Sequence, residues 1–248
     1  MSANGSGDLR AARIDLAAAF RWAARCELNE AVDNHLSFAP TDRDGAFLIN
    51  AYGMHWSEIG PDDLLLVDTQ GTVLEGEGFV EPSALSIHGG IHRRNTGPRA
   101  AMHTHMPYAT ALTLLEDGQL ETATHQNSLR FHGAVAYDPV FAGLADPLEE
   151  GERIADALGT ARVLFLAHHG VIVVGKTIAG CFYDLYLLER ACRLQVLAMS
   201  TGQPLAAVSE NAAQATAADW ERNVELYAGK NFAALKRLLA LEDPIFAE

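Results

Sequence analysis

Val163 to Gln195 reads VLFLAHHGVIVVGKTIAGCFYDLYLLERACRLQ, and its patterning sets the fold class. Arg162 to Ala167 and Val171 to Val174 are short apolar runs with the composition of buried strands. Between them stands His168-His169-Gly170, where glycine lets the backbone turn or approach another element closely. From Thr177 to about Ser200, residues Ile178, Phe182, Leu185, Leu188, Cys192, Val196 and Met199 recur every three or four positions, giving a long helix one apolar face. Alternating strand and helix signals point to an α/β domain.

The same alternation extends to either side. Leu9, Leu16, Phe20 and Ala23 mark a first helix from about Leu9 to Glu27. Short β segments follow at Phe38, Ala46 to Ile49, Leu64 to Val67 and Thr72 to Leu74, broken by Asp-Gly, Tyr-Gly and Gln-Gly turns. Glu81-Pro82 opens a helix that Asn95-Thr96-Gly97-Pro98 stops. Arg99 to His105 reads as a strand, Pro107 to Leu115 as a helix and Ala134 to Tyr137 as a strand. A capping-box pattern at Asp146-Pro147-Leu148-Glu149 begins a helix that Gly159 closes, and a last helix runs from about Ala218 to Leu241. No linker composition divides the chain, so residues 9–248 are expected to form a single domain behind an unordered start, MSANGSGD at residues 1–8.

A chain of 248 residues that is 49% hydrophobic is long enough for a well-buried core. A formal net charge of −14 argues against nucleic acid as a partner and against docking on anionic membranes. No long apolar span or leader-like segment stands out, so neither export nor membrane insertion is expected. Three cysteines without ligand spacing suit a reducing, cytoplasmic setting, with Cys181 and Cys192 packed on one helix.

The histidines carry the chemistry. His103 and His105 stand two apart on a strand, so both imidazoles face one side. His169, at the junction of two buried β runs, either bonds backbone in the core or joins that pair. Three imidazoles with an open position suit a Lewis-acid divalent metal, such as zinc, manganese or iron(II). His88 and His92, four apart on a helix, form a competing pair, although Gly89-Gly90 stands where an HExxH motif carries glutamate. His88 alone is better placed to face the main site. His125 and His132 flank a loop entering a strand, and His35 and His55 sit in turn-rich segments. Gly170 to Thr177 matches the formal phosphate-loop pattern GxxxxGK[ST], but its intervening Val171-Ile172-Val173-Val174 favours an extended strand over a phosphate cradle.

RAAMHTHMPYATAL, the Val163 to Gln195 stretch and the spacing between them resemble the class II aldolase/adducin family, over about Leu9 to Ser200. The resemblance implies a three-layer α/β/α sandwich around a mixed sheet. It also implies a homotetramer with active sites at subunit interfaces, a small-molecule substrate, and a metal held by His103, His105 and His169. In the family's aldolases the metal polarises the carbonyl of a ketose phosphate, and a retro-aldol cut releases an aldehyde.

This chain departs from that pattern in the groups that handle protons and phosphate. Ala84 stands where the aldolases have an acid/base glutamate, with Pro82-Ser83 at the preceding serine pair and Glu81 three residues earlier. The Gly-Asn-x-Ser phosphate motif becomes Asn34-His35-Leu36-Ser37, and Pro-Ser-Gly becomes Ala51-Tyr52-Gly53. The expectation is a metal-dependent carbon–carbon lyase, of aldolase or decarboxylase type, acting on a small non-phosphorylated oxo, hydroxy or aromatic carboxylic acid. His35, Tyr52, Gly53 and Ser83 are the candidate substrate contacts, and His88 or His125 the candidate proton donor. Two alternatives stand beside it: an iron(II)-dependent oxygenase of an aromatic 2-oxo acid, and a non-catalytic scaffold like the adducin head.

Overall fold

The computed structural model describes residues 5–94, 99–141, 143, 147–243 and 246. Helix α1 spans Gly5–Arg25, followed by strands β1 His35–Phe38, β2 Ala46–Asn50, β3 Leu64–Asp68 and β4 Val73–Glu75. Helix α2, Pro82–Arg94, leads to β5 Ala100–Thr104 and the short helix α3 Pro107–Thr113. Then come β6 Val135–Asp138, α4 Pro147–Leu158, β7 Val163–Leu166 and β8 Gly170–Gly175. Two long helices finish the fold, α5 Ile178–Met199 and α6 Glu210–Glu242.

The strands form one eight-stranded sheet in the order β4-β3-β2-β1-β5-β8-β7-β6. Only β6 and β7 pair in parallel, so the sheet is mixed. Helices α1, α3, α5 and α6 cover one face, over Leu36, Leu48, Leu66, Met102, Phe165 and Val173. The alternate residues Phe47, Ile49, Ala101, Leu164, Ile172 and Val174 face α2 and α4. The fold is therefore the expected α/β/α sandwich. Central strands are apolar on both faces, which is why β7 and β8 read as continuous runs rather than alternating ones.

Several boundaries differ from the sequence expectations. Helix α1 takes in Gly5 to Asp8, which the sequence left outside the ordered chain, while residues 1–4 lie outside the described residues. The helix at Pro107 ends at Thr113, and Leu114 and Leu115 are exposed. Helix α6 starts two turns earlier than Ala218, at Glu210, capped by Ser209, whose hydroxyl accepts from the Ala212 N–H at 3.3 Å. Its first turns are largely exposed and Ala-rich, so they form a helix without an apolar stripe to announce it. Asp146 and the Asn95 to Pro98 stop lie outside the described residues. Cys181 and Cys192 are both buried on α5. None of the described helices is long and apolar enough to cross a membrane.

Helices α2 and α4 approach until their backbones touch. A Cβ on Gly90 would lie 2.3 Å from the Gly151 carbonyl oxygen, and one on Gly151 would lie 2.2 Å from that of Ser86. Only glycine permits that approach. It seats α4 against β6 and β7, with Glu150 and Arg153 beside His105 and His169.

Candidate metal centre

The pairing of β1 with β5 sets the site. His35 lies opposite His103, and Ser37 opposite Ala101, so His35, Ser37 and His103 share the sheet face that α2 covers. His103 is the next-to-last residue of β5, and His105 stands just past the strand end. His169 arrives from the β7–β8 turn, where His168 adopts the left-handed conformation at φ 57°. Gly170 lets that turn close on β5, since a Cβ there would be 2.5 Å from the Thr104 carbonyl oxygen and 2.8 Å from the His105 ring.

One nitrogen from each of His103, His105 and His169 lies within 4.8 Å of the others, an arrangement that could hold a metal ion. His103 Nδ1 lies 3.1 Å from the Val171 carbonyl oxygen, which can only accept, so Nδ1 carries the proton and Nε2 is bare. His105 Nδ1 donates to Glu30 Oε2 at 2.5 Å, and in the neutral ring this leaves Nε2 bare as well. The two Nε2 atoms then face each other at 3.1 Å, lone pair to lone pair. That separation is close to the edge of a tetrahedron built on metal–nitrogen bonds of about 2.0–2.1 Å. The donor set therefore fits a divalent cation. Burial first, and then the neighbouring His105, lowers the His169 pKa to about 4, while Glu150 and Glu30 pull the other way. Burial also holds His103 well below the usual histidine range, followed by the effects of His35 and the other triad histidines. Both are neutral near pH 7, the state a metal ligand needs.

Behind the triad runs a chain of side chains. The His35 ring stacks on His103, with centroids 4.9 Å apart and planes at 27°. His35 Nδ1 lies 2.8 Å from His88 Nε2, His88 Nδ1 lies 2.5 Å from Ser37 Oγ, and Ser37 Oγ lies 2.7 Å from His92 Nε2. Burial depresses all three histidines, His35 to about 3 and His92 to about 4. His88 and His92 thus find their partners in β1, and among the described residues the metal-ligand cluster contains neither.

In front of the triad opens a cavity of about 470 Å³, lined by His105, His169, Glu30, Ser83, Ser86, Glu150, Arg153 and apolar Val140, Phe141 and Ile154. Of the candidate substrate contacts His35, Tyr52, Gly53 and Ser83, Ser83 lines it and the others do not. His88 is fully buried behind His35. Tyr52 is exposed and packs against Phe79 with ring centroids 5.6 Å apart and planes tilted by 47°, and neither it nor Gly53 lines the cavity. His125 stands in the turn before Leu129, where its Nδ1 accepts from the Asn127 N–H at 3.2 Å, away from the cavity lining. Glu30, Glu150 and Arg153 carried no sequence signal, because single charged residues in a turn or a helix have no characteristic spacing.

The sequence profile of the class II aldolase and adducin N-terminal domain matches residues 14–196. The chain belongs to the class II aldolase/adducin family. A Caulobacter vibrioides protein whose description places it with the class 2 aldolases is 35% identical over 204 residues, covering 82% of this chain and 78% of the relative. The structure of L-fuculose 1-phosphate aldolase from Glaciozyma antarctica superposes with a TM-score of 0.85 at 28% identity, covering 98% of this chain and 95% of that one. The decarboxylase NovR of Streptomyces niveus is 29% identical over 170 residues, 68% of this chain and 62% of NovR.

In this class II aldolase/adducin domain, Ala84 is buried at 2% exposure, packed with Phe47, Ile49 and Leu65. It is a core residue. Glu81 is engaged at the start of α2. Its Oε2 accepts from the Ala84 N–H at 3.0 Å and from the Ser83 hydroxyl, closing the start of α2.

Proposed function

We propose that this chain is a metal-dependent carbon–carbon lyase, of aldolase or decarboxylase type, for a small non-phosphorylated oxo, hydroxy or aromatic carboxylic acid. The observation that carries this reading is the pair of bare Nε2 atoms on His103 and His105, converging at 3.1 Å with His169 beside them. A zinc, manganese or iron(II) ion there would act as a Lewis acid on electrons left next to a substrate carbonyl. Glu30 fixes the tautomer and direction of His105, and the Val171 carbonyl does the same for His103. Phe141, Val140 and Ile154 make one wall of the cavity apolar.

Loss of the acid/base glutamate at Ala84 and a histidine at residue 35 argue against the sugar-phosphate chemistry of the fuculose 1-phosphate aldolase. Decarboxylation needs no base to begin, and the name of NovR lends that arm support. In this reading His88 works through His35 as a positioning residue. We further propose a single domain, a homotetramer and a cytoplasmic location. The adducin-like scaffold role is disfavoured by the full set of metal donors.

Metal analysis of the purified protein tests the reading. Stoichiometric divalent metal that disappears in His103→Ala and in His169→Ala, with the fold kept, is the expected result. Unchanged metal content in both variants would end it. Oxygen uptake with iron(II) but not with zinc or manganese would move the assignment to the oxygenase.

A further inference from the structure

Arg153 is the one Lys or Arg among the described residues lining the cavity, and two carboxylates hold it unequally. Its Nη1 donates to Asp138 Oδ2, while Nε and Nη2 donate to Glu150 Oε2 and Oε1 at 2.9 and 2.6 Å. Asp138 ends β6 with its side chain only 3% exposed, and its other oxygen accepts from the Val140 N–H at 3.0 Å. Removing Arg153 from Asp138 would strand a buried charge, so that tether is firm. Glu150 is three residues before Arg153 on the same helix, and both side chains are partly exposed. Such neighbouring pairs are weak, and a competing anion displaces them readily.

We propose that Arg153 binds the carboxylate of a 2-oxo acid, and that this displaces Glu150, freeing its carboxylate to move a proton at the carbon beside the substrate's oxo group. The inference rests on the metal-dependent reading above and names both its substrate class and its acid/base. A guanidinium offers five N–H donors, of which three bond described residues, so an incoming carboxylate finds two more before Glu150 leaves and a planar fork afterwards. The C–H proton passes to the Glu150 carboxylate, the C–H electron pair delocalises onto the oxo oxygen, and the return transfer restores both. Because Gly90 and Gly151 let α4 touch α2, a glutamate from α4 reaches the cavity. An uncharged substrate would leave Glu150 paired, so the base is uncovered only by a substrate that brings an anionic group to Arg153.

The test uses zinc-loaded full-length protein, with pyruvate as probe and hydroxyacetone as its uncharged counterpart. Binding is read by calorimetry, and exchange of the pyruvate methyl protons by NMR in D2O. Arg153→Lys keeps a charge for Asp138 but loses the fork, and should weaken pyruvate about 10-fold or more while leaving hydroxyacetone unchanged. Glu150→Gln should bind pyruvate at least as tightly as the parent, yet exchange its protons about 100-fold more slowly. Zinc content should be unaltered in both. Pyruvate affinity unchanged in Arg153→Lys, exchange unchanged in Glu150→Gln, or a zinc-loaded parent that neither binds nor exchanges pyruvate would each overturn the proposal. Those results leave the metal site standing, whereas retention of zinc by His103→Ala and His169→Ala would remove the metal reading itself.

Discussion

The Ser37 hydroxyl lies 2.5 Å from His88 Nδ1, with one proton to offer and a second imidazole, His92, 2.7 Å away on its other side. If Ser37 donates to His88, then His92 donates to Ser37 and His88 donates to His35. If it donates to His92, every bond reverses. The whole chain therefore has two self-consistent proton arrangements, both neutral. Ser37→Ala breaks the chain in its middle and leaves two ring nitrogens unpaired. A loss of about 1–3 kcal/mol in urea denaturation is expected, with metal content unchanged. No loss of stability would mean that the hydroxyl is not the link between these rings.

Acid should unfold the metal-free protein early. His35 titrates at about 3, and His92 and His169 at about 4, all lowered first by burial from an ordinary value of 6.5. Because the folded values lie below the unfolded one, the unfolded chain takes up more protons below pH 6.5. Stability is complete above that pH and falls as pH drops through it towards 4, by about 1.4 kcal/mol per pH unit for each such group. Circular dichroism at stepped pH should show cooperative unfolding between roughly pH 6 and 4, with the midpoint raised by acid-labile pairs elsewhere. A flat signal down to pH 4 would contradict buried neutral histidines.

Glu30 holds His105 through a 2.5 Å bond to Nδ1. Glu30→Gln keeps the shape but removes the charge that favours metal on the opposite nitrogen. Zinc affinity measured by competition with a chromogenic chelator should fall about 10- to 100-fold. An unchanged affinity would place Glu30 outside the site.

The contact between α2 and α4 admits no side chain. Gly151→Ala places its Cβ against the Ser86 carbonyl at 2.2 Å, so the helices must part. Denaturation should show a loss of about 1–3 kcal/mol. The same variant should weaken pyruvate binding if α4 delivers Arg153 to the cavity.

Arg130 and Asp184 form a buried pair, at 3% and 4% side-chain exposure, joined by two bonds of 2.9 and 3.0 Å. Burial raises the Asp184 pKa even though Arg130 opposes it, so desolvation is the larger effect here. Arg130→Met should cost about 3–5 kcal/mol by stranding the carboxylate. Adding Asp184→Leu should recover most of it. A double variant as unstable as the single one would show that Arg130 matters through Glu221, which it also bonds at 3.1 Å.

The α/β class, the order of its elements and the three triad histidines were legible in the linear chain. Period and punctuation are local properties, and β7, β8 and α5 carry them strongly from Val163 onward. The start of α6 was not legible, since its exposed Ala-rich turns leave no periodic mark. Nor could the partners of His88 and His92 be read, because helical spacing says that two residues share a face but not what the face meets.

By itself the sequence determined the α/β class, because period and turn signals are local, and its resemblance to the class II aldolase/adducin family implied the sandwich and the imidazoles that could gather round a metal. Only the tertiary structure decided what surrounds those imidazoles. The register of His35 against His103 stacks the two rings, the Gly90–Gly151 contact brings Arg153 and Glu150 to the cavity, and the turn at Glu30 reaches His105. Each of these relations joins residues dozens of positions apart, and such contacts are fixed by how layers pack rather than by any local pattern.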